Sequence, residues 1–271
     1  SMVMATALPA SAATDTGIKV SALKQTSSAY DLGIAADNVR LAWELEGETR
    51  GILQSAYRLT VRDDTETVYD TGWVESADQT GVKAQNLEPE TVYYWTVDVK
   101  DQYGNESGFA PEASFETAPA VVSGDWIGKA NLVRKEFTLD QSLTNVDRAR
   151  SYIGSASPLE IHINGQKVGD LVLSPKRHVA DAETYYNTYD ILPYLCDGEN
   201  AVGVMLSDAY TMGNSTCGML KIWYKDGTTQ VIATGSDWKM TDDSPITRYG
   251  WFNGEDVTGG GMSGWDMVDY D

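Results

Sequence analysis

The sequence of 271 residues is short of the residues that build metal and redox sites: it has two cysteines and two histidines. Without paired-cysteine spacing a zinc centre is disfavoured, because structural zinc takes four closely spaced thiolate or imidazole ligands. Cys196 and Cys217 flank an expected strand at 201–206, with the next strand starting near Cys217. Antiparallel pairing of those strands would leave the thiols about 17 Å apart at ~3.3 Å per residue. A disulfide needs Cα atoms within about 7 Å, so none is expected here. Long apolar runs are missing too. Past the first residues none approaches the ~18 needed for a membrane span.

Basic residues are scarce: Lys and Arg number 20 against 40 Asp and Glu, a formal net charge of −20. Phosphate backbones and anionic lipid would repel such a chain, which argues against nucleic acid and membrane surfaces as partners. The charge suits a soluble extracellular protein whose ligand is held locally by hydrogen bonds and stacking. Ser1-Met2 reads as an expression scar. Val3–Ala13 reads as the tail of a secretory signal, with Ala10 and Ala12 fitting the small-x-small cleavage rule. A secreted or cell-surface location is the expectation.

Helical periodicity is the last scarcity. Short alternating runs separated by Gly, Asn, Asp and Pro recur instead, an all-β signature. The clearest is Val92–Val99, where Tyr93, Trp95, Val97 and Val99 share one face and Thr96, Asp98 and Lys100 the other. Leu41 and Trp43 alternate with polar neighbours, as do Tyr57, Leu59 and Val61. Further on, Leu159–Gly169 predicts a hairpin turning at Asn164-Gly165, residues that tolerate the positive φ of a type I′ turn. A second hairpin is expected at Asp226-Gly227, and a nearly continuous apolar strand at 201–206. His162 alternates with Ile161 and Ile163, so it is read as facing solvent and not as a ligand. Leader 1–17, domain 18–118, linker 119–124 and domain 125–271 is the expected organisation.

The spacing of Leu87, Pro89, Thr91, Tyr93, Trp95 and Val97 resembles the fibronectin type III domain. That resemblance implies a two-sheet sandwich with Trp43 in its core and a corner in which the Tyr93 hydroxyl bonds backbone just upstream. The second half, with its many strands and long loops, fits a jelly-roll (galactose-binding-like) β-sandwich.

Fragments of both halves, taken in order, resemble the N-terminal region of bacterial α-L-rhamnosidases. They include Tyr30–Ile34, Arg40–Trp43, Gln54–Leu59, Tyr69–Val74, Asp125–Gly128, Arg134–Phe137, Asn164–Gly169, Thr188–Asp190, Gly198–Val204 and Asn253–Glu255. The resemblance implies a secreted glycoside hydrolase whose (α/α)₆ catalytic barrel lies further along the chain, preceded by a carbohydrate-binding-type module. The stretch ending at Asp271 then reads as a cut within a longer chain. Loops depart from the family pattern: Ser207–Tyr210 stands where members carry an aromatic-rich G-W-Y loop.

Sugar binding needs planar aromatics for pyranose faces and Asn, Asp or Glu for hydroxyls, displayed on loops of a rigid scaffold. Two stretches have that mix: Asp208, Tyr210 and Asn214, and the loop with Trp251, Asn253, Glu255 and Asp256. Rhamnose-containing plant glycans are the implied ligand. Some members of the family hold rhamnose with a calcium ion, so calcium is a candidate cofactor. Asp208, Asp242, Asp243 and Asp256 could supply some of its six to eight oxygens, but no ligand set is assigned. Hydrolysis would need two carboxylates about 5–9 Å apart. Glu255 and Asp256 are adjacent and would point to opposite faces of a strand. No catalytic residue is therefore assigned; the alternatives are a spacer or adhesion module without sugar affinity and, less favoured, an enzyme in its own right.

Overall fold

The computed structural model describes residues 15–175, 184–207, 213–244, 246–250, 254–257 and 263–270. Of the residues read as a leader, 1–14 lie outside these, whereas Asp15–Gly17 are described and Thr16 is buried, its hydroxyl donating to Asp101. The chain divides into two compact units, Ser1–Ala120 and Val121–Asp271. Every strand pair between named strands is antiparallel, and among the described residues the only helical elements are three single 3₁₀ turns. No helix among them is long and apolar enough to cross a membrane.

The first unit holds β1 (Lys19–Gln25), β2 (Arg40–Glu46), β3 (Gln54–Arg62), β4 (Thr67–Asp70), β5 (Val74–Glu75), β6 (Val82–Lys83), β7 (Val92–Asp101) and β8 (Ala113–Glu116). One sheet runs β1-β2-β6; the other runs β4-β3-β7-β8, with β5 also paired to β3. The alternation in the sequence decides what lies between them: Leu41, Trp43, Leu59, Val61, Tyr93, Trp95, Val97 and Val99 are all buried. Trp43 is 2% exposed and donates its indole N–H to Gln54 Oε1 at 2.8 Å. The Gln54 amide in turn donates to the carbonyls of Ser76 and Asp78. The Tyr93 hydroxyl accepts the backbone N–H of Glu88 at 2.7 Å, the corner that the fibronectin resemblance implies.

The opposite face of β7 is covered as well: Thr96 and Asp98 are 8% and 7% exposed. The segment after β7 covers them: Ser107 and Ala110 bond the backbone of Val99 and Val97, Thr96 Oγ1 donates to the Ala110 carbonyl, and Ser107 Oγ donates to Asp98.

The second unit holds β9 (Ile127–Gly128), β10 (Leu132–Thr138), β11 (Val146–Ser155), β12 (Leu159–Ile163), β13 (Gln166–Lys167), β14 (Tyr186–Asp190), β15 (Glu199–Leu206), β16 (Ser215–Tyr224), β17 (Thr229–Ala233), β18 (Lys239–Thr241), β19 (Ile246–Gly250) and β20 (Gly254–Val257). One five-stranded sheet runs β13-β12-β15-β10-β18. The other runs β14-β11-β16-β17, with β9 on β16, and β19-β20 pair by themselves. Core residues come from one face of each sheet, Val133, Ile161, Ile163, Val202 and Val204 from the first and Ala149, Ile153, Leu220 and Ile222 from the second.

Asn164 (φ 49°) and Gly165 (φ 79°) make the expected positive-φ turn between β12 and β13. The Asn164 side chain does more than tolerate the turn. Its Nδ2 donates to Asn200 Oδ1 and to the Tyr194 carbonyl, and its Oδ1 accepts the Ala201 N–H. Asn200 itself is fully buried and also takes the Cys196 N–H. The strand pairing assumed for the cysteines fails: β15 and β16 lie in different sheets and do not pair, and Cys196 and Cys217 are free thiols.

Candidate functional site

Most of the predicted sugar-binding residues fall where nothing is described. Trp251, Asn253, Asp208 and Tyr210 lie outside the described residues. Glu255 sits on β20 opposite Tyr249, and Asp256 is exposed opposite Arg248. Asn214 is half-buried, and its Nδ2 donates to Asn131 Oδ1 at 3.1 Å. Asn131 in turn donates to the Asp242 carbonyl, so the Asn214 amide ties loops together. Asp242 and Asp243 are exposed on the turn after β18. Among the described residues no three His, Cys, Asp or Glu gather closely enough to hold a metal ion.

A different concave region is lined by described residues, and strand register builds it. Odd positions of β12 face the core, so Glu160 and His162 face outward; on β15, Gly203 does the same, and on β10, Arg134. Pairing then sets Lys239, Arg134, Gly203, His162 and Lys167 in one row across the sheet. The chain returns over this row at residues 263–270. Trp265 lies buried on Gly203, where any Cβ would overlap its ring. Asp266 Oδ2 meets His162 Nδ1 at 2.8 Å, and the Asp266 carbonyl accepts the Gly165 N–H.

Arg134 clamps the far end of this segment. Its guanidinium donates to the Met267 and Tyr270 carbonyls at 2.6 and 3.0 Å, pairs with Glu136 at 2.5 Å, and stacks over the Tyr270 ring at 5.5 Å. Three fixed acceptors suit the rigid donor fork of an arginine. Such a clamp holds a segment that has no strand pairing of its own.

His162 corrects the sequence reading. It is on the outward face, as the alternation requires, but its side chain is only 17% exposed because Trp265 and Asp266 cover it. Its Nε2 lies 3.7 Å from Glu160 Oε2, too long for a hydrogen bond but within ion-pair range. That contact and the Lys167 ammonium hold the Glu160 carboxyl down to about 2, against the opposing effect of burial.

Between this returning segment and β18 lies a cavity of about 340 Å³. Its apolar lining is Leu132, Met240 and the rings of Trp265 and Tyr270; its polar lining is Lys239, Thr241, Asp243 and the edge of Arg134. The volume is at the small end of ligand pockets, which run from roughly 300 to 1,000 Å³. In the sequence Asp243 stands out only as a possible calcium oxygen and Arg134 only within a family-like fragment; these residues are not brought together there, because β10, β18 and the last residues meet only in the fold.

Comparison with known proteins fits this architecture. Residues 20–120 match the Rha78A-like N-terminal immunoglobulin domain, and residues 144–271 match the alpha-L-rhamnosidase N-terminal domain. An alpha-L-rhamnosidase of Formosa agariphila is 27% identical, over 89% of this chain and 31% of that protein. The solved alpha-L-rhamnosidase from Dictyoglumus thermophilum superposes with a TM-score of 0.83 at 27% identity, over 93% of this chain and 33% of its own. The Streptomyces avermitilis alpha-L-rhamnosidase complexed with L-rhamnose shares the fold, with a TM-score of 0.81 at 17% identity, over 94% of this chain and 44% of its own. This chain spans about a third of the length of the first two relatives. With both of its units matched and in the same order, the chain corresponds to the N-terminal region of alpha-L-rhamnosidases, an immunoglobulin-like sandwich and the β-sandwich that follows it.

Proposed function

We propose that this chain is the non-catalytic N-terminal portion of a secreted alpha-L-rhamnosidase, whose second unit supports the catalytic barrel and binds rhamnose-containing glycans. The observation that carries the reading is that both units match N-terminal domains while the chain spans only about a third of its relatives. The chemistry of hydrolysis then belongs to the remaining length, and this portion contributes placement of the glycan near it. A module that captures one sugar raises the local substrate concentration without taking part in bond cleavage.

A second reading is a spacer that holds the barrel and binds nothing. The engaged amide of Asn214 favours it, since that residue is spent on Asn131. Titration of the chain with L-rhamnose, followed by calorimetry, separates the two. Isolated single-sugar sites bind weakly, so a Kd on the order of 0.1–1 mM, about −4 to −5.5 kcal/mol, is expected. No heat of binding at several millimolar sugar would leave the spacer reading standing.

A further inference from the structure

We propose that the cavity between β18 and the returning segment 263–270 is a binding site for one neutral pyranose unit. The inference rests on the glycan-binding reading and uses residues other than those singled out at 208–214 and 249–257.

A pyranose presents an apolar C–H face and a rim of hydroxyls, and it needs both kinds of wall in a small space. The cavity supplies both. Leu132, Trp265 and Tyr270 form the apolar wall, and Lys239, Thr241 and Asp243 the polar rim. About 340 Å³ admits a single ring and little more.

Charge decides between sugar classes. The Arg134 guanidinium is already matched by Glu136. Among the described lining residues that leaves one ammonium, Lys239, and one carboxylate, Asp243, both exposed and neither in an ion pair with another described residue. One charge of each sign suits a neutral ligand that both accepts and donates hydrogen bonds. A uronate would gain from Lys239 and lose to Asp243.

The wall is rigid before any sugar arrives. Trp265 is seated on Gly203, Asp266 is held by His162 and the Gly165 N–H, and Arg134 grips two carbonyls of the segment. Preorganisation of this kind lowers the ordering cost of binding, which matters most for a ligand with few contacts.

The test is amide and indole chemical-shift mapping of the whole chain, titrated in parallel with methyl α-L-rhamnopyranoside and methyl β-D-glucuronide. Saturable shifts centred on Lys239–Asp243, Tyr270 and the Trp265 indole are expected for the neutral glycoside. Lys239→Ala should weaken it at least tenfold without moving the melting temperature. Tyr270→Ala should do the same, and if that variant fails to fold, Lys239→Gln replaces it. Shifts confined to the 208–214 and 249–257 loops, with Lys239→Ala binding normally, would overturn the site and leave the glycan reading intact. No response to either sugar would overturn both. Tighter binding of the glucuronide would overturn the neutral-ligand assignment.

Discussion

Gly203 and Trp265 occupy one another's space: the indole lies where a Cβ on residue 203 would stand. Gly203 belongs to β15, and Trp265 to a segment more than sixty residues later, so the contact welds the end of the second unit to its sheet. Gly203→Ala should force the ring off. The expected cost is about 1–3 kcal/mol, as for other overpacking substitutions. Indole fluorescence should move to the red as water reaches the ring. An unchanged spectrum and unchanged stability would mean that the segment is not seated there.

In the first unit, the Tyr93 corner and the Trp43 core are separate devices. Tyr93→Phe keeps the ring but leaves the Glu88 N–H without its acceptor, a loss of about 1–3 kcal/mol. Trp43→Ala empties the core and strands Gln54, so about 3–5 kcal/mol is expected. Denaturant unfolding measures both. A Trp43→Ala loss below ~1 kcal/mol would contradict the packing described.

The buried amide pair predicts a cost that its polarity hides. Asn200→Ala removes acceptors and donors shared with Cys196, Gly198 and Asn164 at once. Leaving such groups unpaired costs about 1–3 kcal/mol. The hairpin amides at 164–166 should lose hydrogen-exchange protection in parallel. Retained protection would show that the turn stands without Asn200.

Glu160 gives the pH dependence. Its carboxyl is held near 2, below the ordinary 4.5, by His162 and Lys167. A depressed carboxylate stabilises the fold above the ordinary value, and the contribution drains away as pH falls toward 2. Its side chain is 41% exposed, so solvent screening limits the effect to about 0.2–1 kcal/mol. Wild type should therefore exceed Glu160→Gln by that amount at pH 7 and match it near pH 2. A gap that widens on acidification would reverse the sign.

What the sequence reveals is local, and what it conceals is long-range. Alternation in 92–99 and the Asn164-Gly165 turn are properties of a few consecutive residues, and both appear in the fold as read. Burial of Thr96 and Asp98 depends on Ser107 and Ala110 folding back over them, which a two-residue period cannot register. The separation of β15 and β16 into different sheets is likewise a matter of topology. The returning segment is the extreme case, since Arg134 reaches Met267 across 133 positions. As for the candidate loops, Asn214 is seen to bridge to Asn131, while Trp251, Asn253, Asp208 and Tyr210 lie outside the described residues.

The most direct test of the account is hydrolysis of an aryl α-L-rhamnoside by this chain alone, at high enzyme concentration and after repurification. If the catalytic carboxylates lie in the remaining two-thirds of the family's length, no turnover above the buffer rate is expected. Turnover that follows the chain through purification, and is lost on replacing a single carboxylate within it, would contradict the account.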